Sequence, residues 1–227
     1  MKRINFRNCS IYGTLICVFF ALSVKGYSQS TSSGETPQFL FDDFSDGIIR
    51  MKNGSIQKTV LNYNLVSEKV VYQKDGNLFD LIGLDLIDTV LINESVFIPV
   101  EGVFYEVLYV APVSLFLQWK GSLIPPGKPA GYGGTSQVSN TKMLSSVELN
   151  SGYYNIKLPT DYTVNVEKRY WLRSEGSMTS FINERQFLKL YPAHEEELKN
   201  FIKKNKIKFE KVAGVVKLVE FLNELSK

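Results

Sequence analysis

Cysteine and histidine are the scarce residues. The 227-residue chain has two cysteines, Cys9 and Cys17, and one histidine, His194. Both cysteines fall in the first thirty residues, "MKRINFRNCSIYGTLICVFFALSVKGYSQS". Lys2, Arg3 and Arg7 there form a basic start, and the apolar run Leu15 to Val24 falls short of the about 20 residues that span a bilayer. With Gly26 and Ser28 following in a small-residue pattern, residues 1–28 read as a secretory signal peptide cleaved before Gln29, with an uncleaved membrane anchor as the rival reading. Cys17 follows Ile16 rather than a small residue, which argues against a lipidation site. Cleavage leaves no thiol, no disulfide and no thiolate metal site. Zinc sites draw on Cys and His, and acid–base catalysis most often on His. Neither a metal nor a cofactor is expected.

The chain also lacks a basic surplus once the leader is gone. Four of its 26 Lys and Arg and none of its 23 Asp and Glu lie in residues 1–28, which leaves 22 positive against 23 negative charges, a net of −1. Nucleic-acid binding wants a basic face, so none is expected. No later apolar run is long enough to cross a membrane.

What is there is a β pattern. Residues 29–37 read as a disordered leader, and residues 38–227 as a single α+β domain. Its first part, 38–123, is an antiparallel meander, a sheet or roll, of strands rich in β-branched and aromatic residues. Asn53-Gly54 and Asp75-Gly76 mark hairpin turns because both residues tolerate positive φ, and Glu101-Gly102 leads into a further strand. Residues 124–142 form a glycine-rich loop. Strands follow over 143–182, where "DYTVNVEKRYWLR" puts Tyr162, Val164 and Val166 on one face and Thr163, Asn165 and Glu167 on the other. The period then changes. Asn183 and Gln186 suggest a capping box for a helix ending near Leu190. Pro192 suits the start of the next helix, with Glu195, Glu196 and Glu197 at its N-terminus and Lys203 and Lys204 near its C-terminus. Val212, Val215, Val216, Val219, Leu222 and Leu225 make an apolar helical stripe. Two or three C-terminal helices over 183–227 should therefore pack on one face of the sheet.

The candidate sites are few. "IPPGKPAGYGGTSQVSN" (Ile124–Asn140) fails as a phosphate cradle. Lys128 precedes Pro129 where a Walker loop needs Ser or Thr, and Ser136 replaces the third glycine of a dinucleotide fingerprint. It reads as a surface excursion, with Lys128, Tyr132, Gly133 and Gly134 as the candidate partner contacts. Ser55-x-x-Lys58 and Ser139-x-x-Lys142 match a serine acyl-enzyme string, but the first lies on a strand, where i and i+3 face opposite ways. Asp42, Asp43, Asp46, Asp80, Asp85 and Asp88 lack calcium-loop spacing and read as turn and strand-end residues. His194 reads as a packed or first-turn helix residue. Phe104, Tyr105, Tyr109, Trp119, Tyr153, Tyr154, Tyr170 and Trp171 suit either a β core or a sugar-stacking surface.

Four stretches, "MKNGSIQKTVLNYNLVSEKVVYQKDG", "FIPVEGVFYEVL", "GKPAGYGGTSQVSN" and "NERQFLKLYPAHEEELKNFIKKNKIKF", together resemble a group of secreted proteins from Bacteroidota over residues 38–225. The resemblance implies export and a shared fold, and it implies no catalytic residue. In that setting Asp88-Thr89-Val90 resembles an O-glycosylation acceptor, with Thr89 as an ordinary strand residue the simpler reading. The expected function is that of an exported, non-enzymatic envelope protein, periplasmic, outer-membrane-associated or extracellular, a binding or scaffold module for an envelope protein or glycan. The alternative is a secreted hydrolase of glycans or peptides using a carboxylate pair such as Asp42 with Asp85.

Overall fold

The computed structural model describes residues 38–124, 128–130, 134–136 and 163–225, the two short central segments by backbone alone. The four strands β1 (Ser45–Met51), β2 (Ile56–Asn64), β3 (Lys69–Lys74) and β4 (Asn77–Asp80) form a first meander. A second contains β5 (Ile87–Ile92), β6 (Ser95–Val100), β7 (Val103–Tyr109) and β8 (Ser114–Ile124). A small hairpin, β9 (Lys128–Ala130) with β10 (Gly134–Ser136), comes next, then β11 (Thr163–Ser174) and β12 (Ser177–Phe181). All but the small hairpin join one antiparallel sheet of ten strands, ordered β12-β11-β8-β7-β6-β5-β1-β2-β3-β4. The α+β reading holds: a long antiparallel sheet is followed by α1 (Glu184–Leu190), α2 (Glu195–Asn205) and α3 (Val212–Leu225).

The turns explain most of this order. Asp75-Gly76, Glu101-Gly102 and Glu175-Gly176 have both residues at positive φ, the geometry whose twist matches two-residue hairpins. The Asn53-Gly54 turn works differently from the sequence expectation. Among its residues Gly54 alone has positive φ. Gly54 N–H donates to Met51 O and Met51 N–H to Ser55 O, both at 2.9 Å, so this is a three-residue loop closed by a left-handed glycine. The meander breaks once. After β4 the chain recrosses through residues 81–86, ending in a 3-10 turn (Leu84–Leu86), and β5 pairs with β1 instead of β4. Leu81 and Leu84 pack into the core during that crossing.

One side-chain row crosses seven strands. Phe181, Tyr170, Leu117, Glu106, Phe97, Val90 and Ile49 stand directly opposite one another in sequence from β12 to β1. Every member except Glu106 is fully or almost fully buried. The face carrying this row is the inner face. At one end the three helices cover it: Leu115, Leu117, Tyr170, Leu172 and Phe181 pack with Phe187, Leu198, Ile202, Val215, Leu218, Val219 and Leu222. At the other end the sheet covers itself, with Ile49, Leu61, Tyr63, Val70, Val90, Ile92, Phe97 and Phe104 forming a second cluster. It curls far enough for the β2–β3 turn to reach the edge of β8, where Gly121 N–H donates to Leu65 O at 2.7 Å and Tyr63 Oη to Trp119 O at 2.9 Å.

The helices start and dock as their residues require. Asn183 Oδ1 accepts from Gln186 N–H at 3.0 Å, and Gln186 Oε1 accepts from Ile182 N–H, one residue earlier than a standard capping box. Pro192 opens a 3-10 turn (Pro192–His194) ahead of α2. On α3, Asn223 interrupts the apolar stripe. Its side chain donates to Val113 O and accepts from Val113 N–H, both at 2.9 Å, clamping the helix to the β7–β8 connection. Among the described residues, no helix is long and apolar enough to cross a membrane.

Candidate functional site

The glycine-rich segment follows β8 in the chain and precedes β11, and these two strands are paired. β8 ends at Ile124 and β11 begins directly opposite, at Thr163. Between them Lys128 pairs with Ser136 and Gly134 with Ala130 in the short hairpin. Tyr132 and Gly133 lie outside the described residues, as do Ser139, Lys142, Tyr153 and Tyr154. Ile124 and Val166, on β8 and β11, are 41 % and 45 % exposed.

The aspartates do not converge. Asp80 ends β4, buried, with Oδ2 on Lys69 Nζ at 2.8 Å. Asp46, Asp85 and Asp88 are exposed, on β1, the 3-10 turn and β5. Asp42 and Asp43 line an open depression of about 400 Å³ with Leu40, Phe41, Ser45 and Asn93; Asp85 is not part of its wall. The loop there is held by Asn62, which donates to Phe41 O and Asp43 O and accepts from Phe41 N–H. A second depression, about 600 Å³, is walled by Glu184, Arg185, Leu188, Lys189, Glu195 and Lys199 of α1 and α2. Glu195 hydrogen-bonds Lys199 one helical turn on and holds that ammonium above the usual lysine range. His194 is half-buried just before α2, its backbone N–H on Tyr191 O. Ser55 directs its hydroxyl to Asn53 Oδ1 at 2.8 Å, so the Ser55–Lys58 string forms no acyl-enzyme pair. Among the described residues no three His, Cys, Asp or Glu side chains group as metal ligands do.

Two polar networks escaped the sequence reading. Glu106, the lone charge in the seven-strand row, accepts from Ser95 Oγ and from Trp119 Nε1, each at 2.6 Å. Charge-assisted bonds of this length answer both oxygens of a carboxylate set among apolar neighbours. The alternation Phe104, Glu106 in β7 could have placed this acid on the packed face. On the outer face, Trp171 Nε1 donates to Gln118 Oε1 at 3.0 Å, and Gln118 Nε2 to Glu68 Oε2 at 2.6 Å. Lys120 Nζ meets the other Glu68 oxygen at 3.0 Å. Tyr105 sets its ring edgewise to Trp171 at 5.6 Å, and the Arg173 guanidinium lies 4.7 Å from the Phe116 ring centre. Burial, with Glu101 and Glu68 nearby, raises the Tyr105 phenol above its ordinary pKa. Glu68 comes from the β2–β3 turn and Gln118 from β8, so sequence periodicity could not join them.

The networks share a chemistry. Glu68, Glu106 and Asp80 each bond a donor from another strand or turn, as positioning groups do. Around Trp171 the Glu68 network sets aromatic rings beside planar polar groups on the outer face. Compared with models of known families, with curated proteins and with solved structures, the chain matches none.

Proposed function

We propose that this chain is an exported, non-enzymatic protein of the cell envelope, periplasmic or outer-membrane-associated, that binds another envelope component. The basic start and apolar run of residues 1–28 support export. The observation that carries the binding reading is the outer face of the sheet. Leu91 stands opposite Val96, Ile98 opposite Tyr105, and Val107 opposite Phe116, which stands opposite Trp171. The band crosses five adjacent strands, β5 to β11, and Leu91, Val96, Ile98, Val107 and Trp171 keep part of their surface in water. Glu68, Gln118 and Arg173 border it. An apolar centre with a polar rim is the anatomy of a recognition surface.

Two measurements test this. N-terminal sequencing of the protein recovered from the host envelope should begin at Gln29; recovery of intact Met1 from the cytosol alone overturns export. Capture from envelope extract should enrich a defined component and lose it with Val107→Asp/Ile98→Asp. No enrichment under mild conditions sinks the binding reading. So does turnover of an envelope polymer that disappears on replacing a single aspartate.

A further inference from the structure

Nine residues between the last two helices carry five lysines and one acid, "KKNKIKFEK" (203–211). Their net charge of +4 sits on a chain whose other residues after Ser28, 17 basic and 22 acidic, sum to −5. Lys203, Lys204, Lys206, Lys208 and Lys211 are all exposed. Two tight turns hold them together. Lys206 ends α2 in the left-handed conformation, φ 51°, with its N–H toward Ile202 O and Lys203 O. Lys211 N–H donates to Lys208 O at 3.0 Å. The turn is anchored, since Ile207 and Phe209 pack against the helix-side cluster and Tyr170 Oη donates to Phe209 O at 2.8 Å. Lys168 reaches in from β11, Nζ on Glu210 O at 3.0 Å.

Among the described residues, none of the five has a carboxylate oxygen within ion-pair distance. The ion pairs there involve Lys69, Lys120 and Lys199, and none of the five. The α2 C-terminus favours Lys203 and Lys204, but Lys206, Lys208 and Lys211 lie beyond it. Like charges gathered on one anchored turn repel one another, and an outside anion would relieve that repulsion.

We propose that this turn docks the protein on an anionic lipid surface. The proposal rests on the envelope reading and names one of its partners. The count matches the four to eight basic residues typical of a polybasic lipid contact. The type matches too. All five are lysines, compact hydrated point charges suited to a diffuse charged plane, where discrete phosphates and carboxylates are met by the arginine fork. The acidic remainder of the body is repelled by the same plane, which orients the molecule with the α2–α3 turn toward it.

The test is flotation of the protein, in the form recovered from the host, with vesicles of phosphatidylglycerol and phosphatidylcholine in equal parts, or of phosphatidylcholine alone. Each lysine near an anionic leaflet contributes about fivefold in affinity. The variant Lys203→Gln/Lys204→Gln/Lys206→Gln/Lys208→Gln should bind the anionic vesicles at least about thirtyfold more weakly. The control Lys52→Gln/Lys58→Gln/Lys74→Gln/Lys189→Gln, with the same charge change at exposed sites, should lose less than about threefold, and raised salt should release the native protein. Absent binding, equal binding to both vesicle types, or equal loss in both variants overturns the proposal. If vesicle binding fails while capture of an envelope component persists, the lipid assignment alone falls.

Discussion

Tyr170 stands where β8, β11 and β12 share the core, opposite both Leu117 and Phe181, and its hydroxyl donates to Phe209 O at 2.8 Å. Burial, with Glu210 nearby, pushes its phenol up to about 12. Tyr63, buried against Phe97 and bonded to Trp119 O, moves the same way for the same first cause. The folded chain therefore holds these protons after the unfolded chain, titrating near 10, has released its own. Tyr170's contribution is fully present below pH 10 and is lost as pH rises from 10 through about 12. Urea midpoints measured from pH 8 to 12 should fall steeply above 10. Tyr170→Phe should flatten that fall without removing it, because Tyr63 remains, and should cost about 1 kcal/mol at neutral pH by leaving the Phe209 carbonyl without its donor. An alkaline slope identical in the variant would show that Tyr170 carries none of it.

At the scale of elements, local signals read well and distant ones did not. Asp75-Gly76 announces its hairpin because positive φ is a property of two residues; Asn183 announces α1 because its cap partner is three residues away. The helix stripe missed Leu218, which is buried, and could not foresee Asn223, whose partner Val113 is 110 positions distant. The return of β5 to β1 has no local signature either, nor does the contact of the β2–β3 turn with β8. At the candidate site the same divide holds: the aspartates read correctly as turn and strand-end residues, whereas the Glu68–Gln118–Trp171 chain needed the contact of the β2–β3 turn with β8. Gly121 tests that contact. A Cβ there would lie 2.8 Å from Val164 Cγ1 and 2.9 Å from Leu65 Cβ, with the Leu65 carbonyl carbon at 3.2 Å. Backbone on one side leaves little room to yield. Gly121→Ala should cost about 1–3 kcal/mol in urea unfolding, as overpacking does. It should also speed exchange of the residue 121 amide, which donates to Leu65 O. Unchanged stability and exchange would mean that the β2–β3 turn does not bear on β8 in solution.

For the whole molecule the question is whether one sheet with two apolar clusters behaves as one cooperative unit. The seven-strand row runs from one cluster into the other with Glu106 between them, and Trp119 packs against both clusters. Its indole N–H bonds Glu106 at the middle of that row, its carbonyl accepts from Tyr63 in the far cluster, and Lys168 lies 5.2 Å from its ring centre on the helix side. Loosening either cluster therefore removes contacts from the other, which is the condition for a two-state transition. The chain's two tryptophans are Trp119 and Trp171, so tryptophan fluorescence reports from β8 and β11 while far-UV circular dichroism reports all strands and helices. The two unfolding curves should coincide in urea. Trp119→Leu keeps an apolar filler but leaves the half-buried Glu106 carboxylate without its indole donor, at a cost of about 1–3 kcal/mol for a lost hydrogen bond to a charged group. If Trp119 is the joint, that variant should also separate the helix cluster from the sheet cluster. Hydrogen exchange would then show two distinct opening energies where the native chain shows one. A native chain that already unfolds in two steps would place the joint elsewhere and make the two clusters independent.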